Sequence, residues 1–156
     1  MSEIHKTVTV DAAVERIVDF LDNPRNIALF VPNVARVVDV NRPGQRVGTT
    51  FRVIYRRLGM KFDIEILVSR FEGPRRTTPH RRYQLWWSFQ GLIRGSSVWT
   101  LEALDNQTEA GIDLEYQLMG GVVGRAVDWL VVERTNQKSV TQMLANMKRV
   151  LEIPAG

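Results

Sequence analysis

The residues with the most chemical potential sit on the last long amphipathic stretch of the chain. Between Val122 and Glu152 an apolar stripe of Ala126, Trp129, Leu130, Val140, Met143, Leu144, Met147, Val150 and Leu151 recurs at helical steps. Its mid-helix slots hold Glu133, Asn136 and Gln137 instead. A carboxylate among apolar neighbours is costly unless it pairs with a cation, meets a polar ligand group or takes up a proton. The first reading is therefore a salt bridge to a strand arginine such as Arg94 or Arg57. The others are orientation of a bound ligand, and general acid–base catalysis through a raised pKa.

A second set is aromatic. Phe51, Tyr55, Phe62, Tyr83, Trp87, Phe89, Trp99 and Tyr116 fall at alternate positions of successive segments, so that one sheet face carries them all. Val53, Ile64 and Leu85 share that face. Packed core is the ordinary fate of such residues. Eight rings exceed what one helix needs to cover, so a cavity of roughly 300–1,000 Å³ for a flat or chain-like apolar ligand is the alternative.

Other chemistry is excluded more firmly. With no cysteine there are no disulfides and no thiolate chemistry, and the two histidines, His5 and His80, lie far apart in sequence. No metal site and no cofactor is expected. Gly95-Ser96-Ser97 is not a nucleophile elbow, and Met119-Gly120-Gly121-Val122-Val123-Gly124 lacks the spacing of a dinucleotide loop. That second stretch reads as the mouth of a cavity, or as a homodimer or membrane-touching edge. Asp63/Glu65 and Asp113/Glu115 fall on the outer strand face, away from any enclosed site.

The net charge of +4 comes from 17 Arg and 4 Lys against 17 acidic residues, and it concentrates at Arg75-Arg76-Thr77-Thr78-Pro79-His80-Arg81-Arg82. A solvated inter-strand loop is the first reading, and peripheral contact with an anionic membrane the second. No nucleic-acid partner is expected, since no helix-turn-helix, finger or RNA-binding aromatic signature accompanies the charge. No apolar run reaches the roughly 20 residues of a membrane span, and the first six residues lack a signal core, so a cytoplasmic location is expected.

The elements that must position these residues follow from periodicity. Residues 3–10 alternate as a strand, and Asp11 stands where an N-cap would precede the helix of Val14, Ile17, Val18 and Leu21. A second short helix spans Pro24 to Phe30. Six strands follow: 34–40, 49–57 (with Ile54 assigned outward beside Arg52 and Arg56), 60–71, 82–90, 93–104 and one carrying Ile112, Leu114, Tyr116 and Leu118. Trp86 is expected on the outer face, unless a bulge turns it inward. Short turns between consecutive strands predict an antiparallel meander.

This order resembles the START-like, or Bet v 1-like, superfamily, and within it the polyketide cyclase/dehydrase and lipid-transport branch. The likeness is carried by Val8 to Asp22, Val34 to Val40, Pro43-Gly44-Gln45-Arg46-Val47-Gly48-Thr49, Val68 to Pro74 and the closing Lys148-Arg149-Val150-Leu151-Glu152. It implies a single α+β domain over 1–156 with a helix-grip fold. In that fold a curved antiparallel sheet of about seven strands surrounds a long C-terminal helix, with two short helices after strand 1. It implies no shared catalytic residue. The expected function is binding of a hydrophobic small molecule, lipid, polyketide or quinone-like, between sheet and helix for sequestration or transport. Trp129, Glu133, Asn136 and Gln137 join the inward-facing strand residues as candidate ligand contacts. A polyketide cyclase/dehydrase-type enzyme, with Glu133 and Tyr55 or Tyr116 moving protons, and a membrane-associated quinone or lipid chaperone are the alternatives.

Overall fold

Seven runs of two-residue alternation become seven strands, and a computed structural model shows how they assemble. It describes residues 2–57, 60–76, 81–118 and 126–153, with side chains placed in these except at 57, 60, 118 and 126–135. Strand β1 (Ser2–Val10) leads into α1 (Val14–Asp22), a 3-10 turn (Pro24–Asn26) and α2 (Ile27–Phe30). Then come β2 (Val34–Asn41), β3 (Thr50–Arg57), β4 (Met60–Glu72), β5 (Arg82–Gly91), β6 (Ile93–Leu104) and β7 (Gln107–Leu118), before α3 (Ala126–Glu152).

The sheet order is β1-β7-β6-β5-β4-β3-β2, so only β1 leaves the meander, pairing antiparallel with the last strand. The inner face carries the apolar half of each alternation. Phe51 and Val53, Ile64 and Ile66, Leu85 and Trp87, Trp99 and Leu101, and Ile112 and Tyr116 are all buried there. Against them α3 lays Val140, Met143, Leu144, Met147 and Leu151, and α1 lays Val14, Ile17, Val18 and Leu21. Each such side chain contributes about 1.5–3 kcal/mol on burial. This is the helix-grip architecture, with its core between sheet and helices.

Three local expectations change. Asp11 does not cap α1: the N-cap is Ala13, without a side-chain bond. The Ala12 amide donates to Val10 O at 2.9 Å in a tight turn, and the Asp11 amide instead donates to Glu152 Oε1 at 2.9 Å. Lys148 Nζ adds bonds to Thr9 O at 2.8 Å and to Glu152 at 2.5 Å, so the β1–α1 junction is clasped to the end of α3. Ile54 is buried on its own face of the sheet, although its neighbours on that face, Arg52 and Arg56, reach solvent. The register of β4 shifts between Val68 and Arg70. Ser69 Oγ then donates to Trp86 O at 3.1 Å, and Phe71 returns to the inner side, 6.1 Å from the Tyr83 ring. Trp86 stays on the outer face, under the Arg70 guanidinium at 4.7 Å.

Candidate ligand-binding site

Strands β3 to β7 curve away from α3 along part of its length, and the gap is a cavity of about 180 Å³. The sheet supplies Tyr55, Ile64, Ile66, Trp87, Phe89 and Trp99, then Ile112, Leu114 and Tyr116 from β7. The helix supplies Asn136, Ser139, Val140 and Met143. The third wall is α2 with its exit, Ile27, Phe30 and Val31 to Asn33. Asn33 takes φ 67°, a conformation asparagine tolerates better than most residues, and its carbonyl accepts from the Arg56 amide at 2.8 Å. That bond fastens the wall to β3. The volume is below the range expected from the sequence. It is close to the ~150 Å³ at which an apolar cavity accommodates one benzene ring.

The polar atoms in this lining are few. Asn136 Nδ2 donates to the Tyr116 hydroxyl at 2.9 Å. Burial pushes the Tyr55 phenol up to about 12, so it keeps its proton and can only serve as a hydroxyl. Its ring stacks on Phe62 at 5.3 Å with planes 9° apart. Trp87 and Trp99 meet edge-on, with centroids 6.2 Å apart. Their Nε1 atoms, and Ser97 Oγ, are buried without a hydrogen-bond partner among the described residues.

Of the sequence candidates, Tyr55, Ile64, Trp87, Phe89, Trp99, Tyr116 and Asn136 are brought together around the cavity. Phe51, Val53 and Leu85 are instead buried in the core, and Phe62 and Tyr83 pack against it. Gln137, half-buried, has its carbonyl engaged by Thr141 Oγ1 at 3.1 Å and does not line the space. The side chains of Trp129 and Glu133, and the stretch 119–124, lie outside the described residues. Sequence reasoning missed the α2 wall and Ser97. A four-residue helix has no measurable period, whereas Ser97 was legible in principle, two residues from Trp99 and therefore on the same face.

The basic loop is partly neutralised by its surroundings. Arg75 reaches Glu72 at 3.4 Å, and Arg81 reaches Glu15 of α1 at 2.7 Å. Residues 77–80 lie outside the described residues. Among the described residues no helix is long and apolar enough to cross a membrane.

The family described as polyketide cyclase/dehydrase and lipid transport matches residues 1–152. Among solved structures, a START superfamily protein from Mycobacterium smegmatis superposes with a TM-score of 0.71 at 15% identity, covering 96% of this chain and 97% of that one. A protein from Thermus thermophilus gives 0.70 at 17% identity, with 96% and 97% covered. The Zhui aromatase/cyclase from Streptomyces sp. R1128 gives 0.67 at 17% identity, with 97% and 93% covered. At these identities the likeness is one of fold. No protein of curated function matches the chain in sequence.

Proposed function

The chain belongs to the polyketide cyclase/dehydrase and lipid-transport family, and from that premise we propose that it binds a compact hydrophobic molecule between sheet and α3, sequestering or carrying it. The observation that carries this reading is the cavity itself. Protein interiors are close-packed, and a partly open hollow of about 180 Å³ leaves contacts unmade along its apolar lining. An apolar guest of matching shape restores them. The size favours one ring or a short chain segment over a whole extended lipid.

The test is titration with toluene, followed by NMR of the methyl groups of Ile64, Ile66 and Ile112. Saturable shifts are expected in the parent chain. They should be lost in Val140→Phe, which fills the space from the helix side while circular dichroism stays native. No saturable binding by the parent chain would defeat the proposal.

A cyclase or dehydrase reading draws on the two phenols in the wall, Tyr55 and Tyr116. With its pKa raised, Tyr55 suits hydrogen bonding to a polyketone oxygen and not proton abstraction. On that reading Tyr55→Phe slows turnover of a short poly-β-ketone mimic without abolishing toluene binding.

A further inference from the structure

We propose that Asn146 is a positioning residue that sets the size limit of the guest, because it holds α2, the cavity wall with the least backbone support, against α3. This rests on the cavity reading above and adds the element that decides how large a molecule the space admits.

The walls are held in unequal ways. Strands β3 to β7 are each hydrogen-bonded to a neighbour on both sides, so the sheet cannot shift without breaking ladders of backbone bonds. The helix wall belongs to the 27-residue α3. The helix α2 has four residues, too few to be stable by itself. It is also a thin partition. Ile27 and Phe30 line the cavity and are buried, whereas Leu29 between them is 57% exposed.

Side-chain and turn bonds make up the deficit. Asn26 Nδ2 donates to Phe20 O at 2.9 Å, tying the start of α2 to α1. The Asn33 carbonyl accepts from the Arg56 amide at 2.8 Å, tying its exit to β3. Between these ends Asn146 Nδ2 donates to Phe30 O at 3.1 Å. The last carbonyls of a helix have no partner within it, and here α3 supplies one. The orientation of the Asn146 amide is itself fixed. Its Oδ1 accepts from Gln142 Nε2 at 2.8 Å and from Arg149 Nη2 at 3.1 Å, which leaves the NH₂ group facing α2.

Phe30 carries the constraint inward, with its ring edge-on to Trp99 at 6.1 Å and 5.5 Å from Phe20. Asn146 does not line the cavity, so it acts through α2 and not by touching the guest. With its bond removed, α2 keeps the ties at its two ends and bows toward the solvent that Leu29 already meets. The volume vacated by Phe30 then joins the cavity. A fused two-ring hydrocarbon gains from that extra room, and a single ring does not.

The experiment measures the ratio of naphthalene to toluene affinity on the full chain by calorimetry, with the Ile27 methyl resonances followed by NMR. Asn146→Asp keeps the side-chain shape but sets a carboxylate oxygen, which cannot donate, against the Phe30 carbonyl. The ratio is expected to rise about tenfold or more, with the Ile27 methyl groups moving on naphthalene binding. A change that only weakens the fold lowers Tm and leaves the ratio as it is in the parent. Gln142→Ala, on the exposed side of α3, frees the Asn146 amide without touching α2 and should raise the ratio by a smaller factor. It decides the matter if Asn146→Asp does not fold. An unchanged ratio, or a raised ratio with the Ile27 methyl groups unmoved, overturns the role of Asn146 and leaves the hydrophobic cavity standing. If toluene does not bind the parent chain, the cavity reading falls and this inference with it.

Discussion

Asn136 Nδ2 donates to the hydroxyl of Tyr116 at 2.9 Å, joining α3 to β7 across the inner wall of the cavity. Apolar packing alone lets a helix rotate or slide on a sheet. A directional bond between a 2%-exposed tyrosine and a half-buried asparagine fixes one rotation. Removing the hydroxyl in Tyr116→Phe leaves the Asn136 amide short of one partner in an apolar setting. The expected loss is about 1–2 kcal/mol by urea unfolding. Asn136→Ala should cost a similar amount, and the double variant should lose less than the sum of the two.

Met143 is buried between α3 and the cavity. Met143→Ala is expected to destabilise the chain by about 2–5 kcal/mol, since the surrounding sheet cannot collapse onto the helix. The enlarged space should then take up naphthalene, which the parent chain excludes. Thermal unfolding with and without naphthalene measures both effects, the ligand restoring part of the lost Tm in the variant alone.

The clasp at the end of α3 sets an acid dependence. The hydrogen bond from Lys148, followed by that from the Asp11 amide, holds the Glu152 carboxyl below its ordinary range. A pKa lowered by folding stabilises the fold above the ordinary carboxylate pKa of about 4.3, and the gain is lost as pH falls through the lowered value. The Tm of the parent chain should therefore exceed that of Glu152→Gln at neutral pH, with the gap closed by about pH 2. A gap independent of pH would place the effect in packing instead.

Tyr55 sets the alkaline limit. Its phenol is raised from 10.0 to about 12, so folding favours the protonated form. The stability this contributes is complete below 10.0 and is lost as pH climbs toward about 12. In a spectrophotometric titration, Tyr55→Phe should delete a late phenol ionisation.

The strands were legible in the sequence because each has one dry face and one wet one. Arg52, Asp63 and Gln117 could be told from Phe51, Ile64 and Tyr116 by parity alone. Parity fails where the backbone departs from it. The bulge at Ser69 changes the phase of β4, so Phe71 returns inward against the alternation that precedes it. Asp11 had the right residue type for a cap, but the turn at Ala12 and the bond to Glu152 decide its place. The bond to Glu152 is a tertiary fact with no local signature. The cavity was legible as an excess of rings, and its size was not. Volume depends on how closely α3 approaches the sheet, a tertiary distance that no local pattern records.

The pairing of the first strand with the last has a consequence during synthesis. Ser2 is made long before its partner Tyr116, which emerges only once β7 has been made. Until then β1 has no strand to pair with, while β2 to β6 can already hairpin in succession. Closure of the grip is thus a late, long-range event of the kind that slows folding and exposes sticky intermediates. The sheet's first edge therefore stays open until β7 is available to pair with β1.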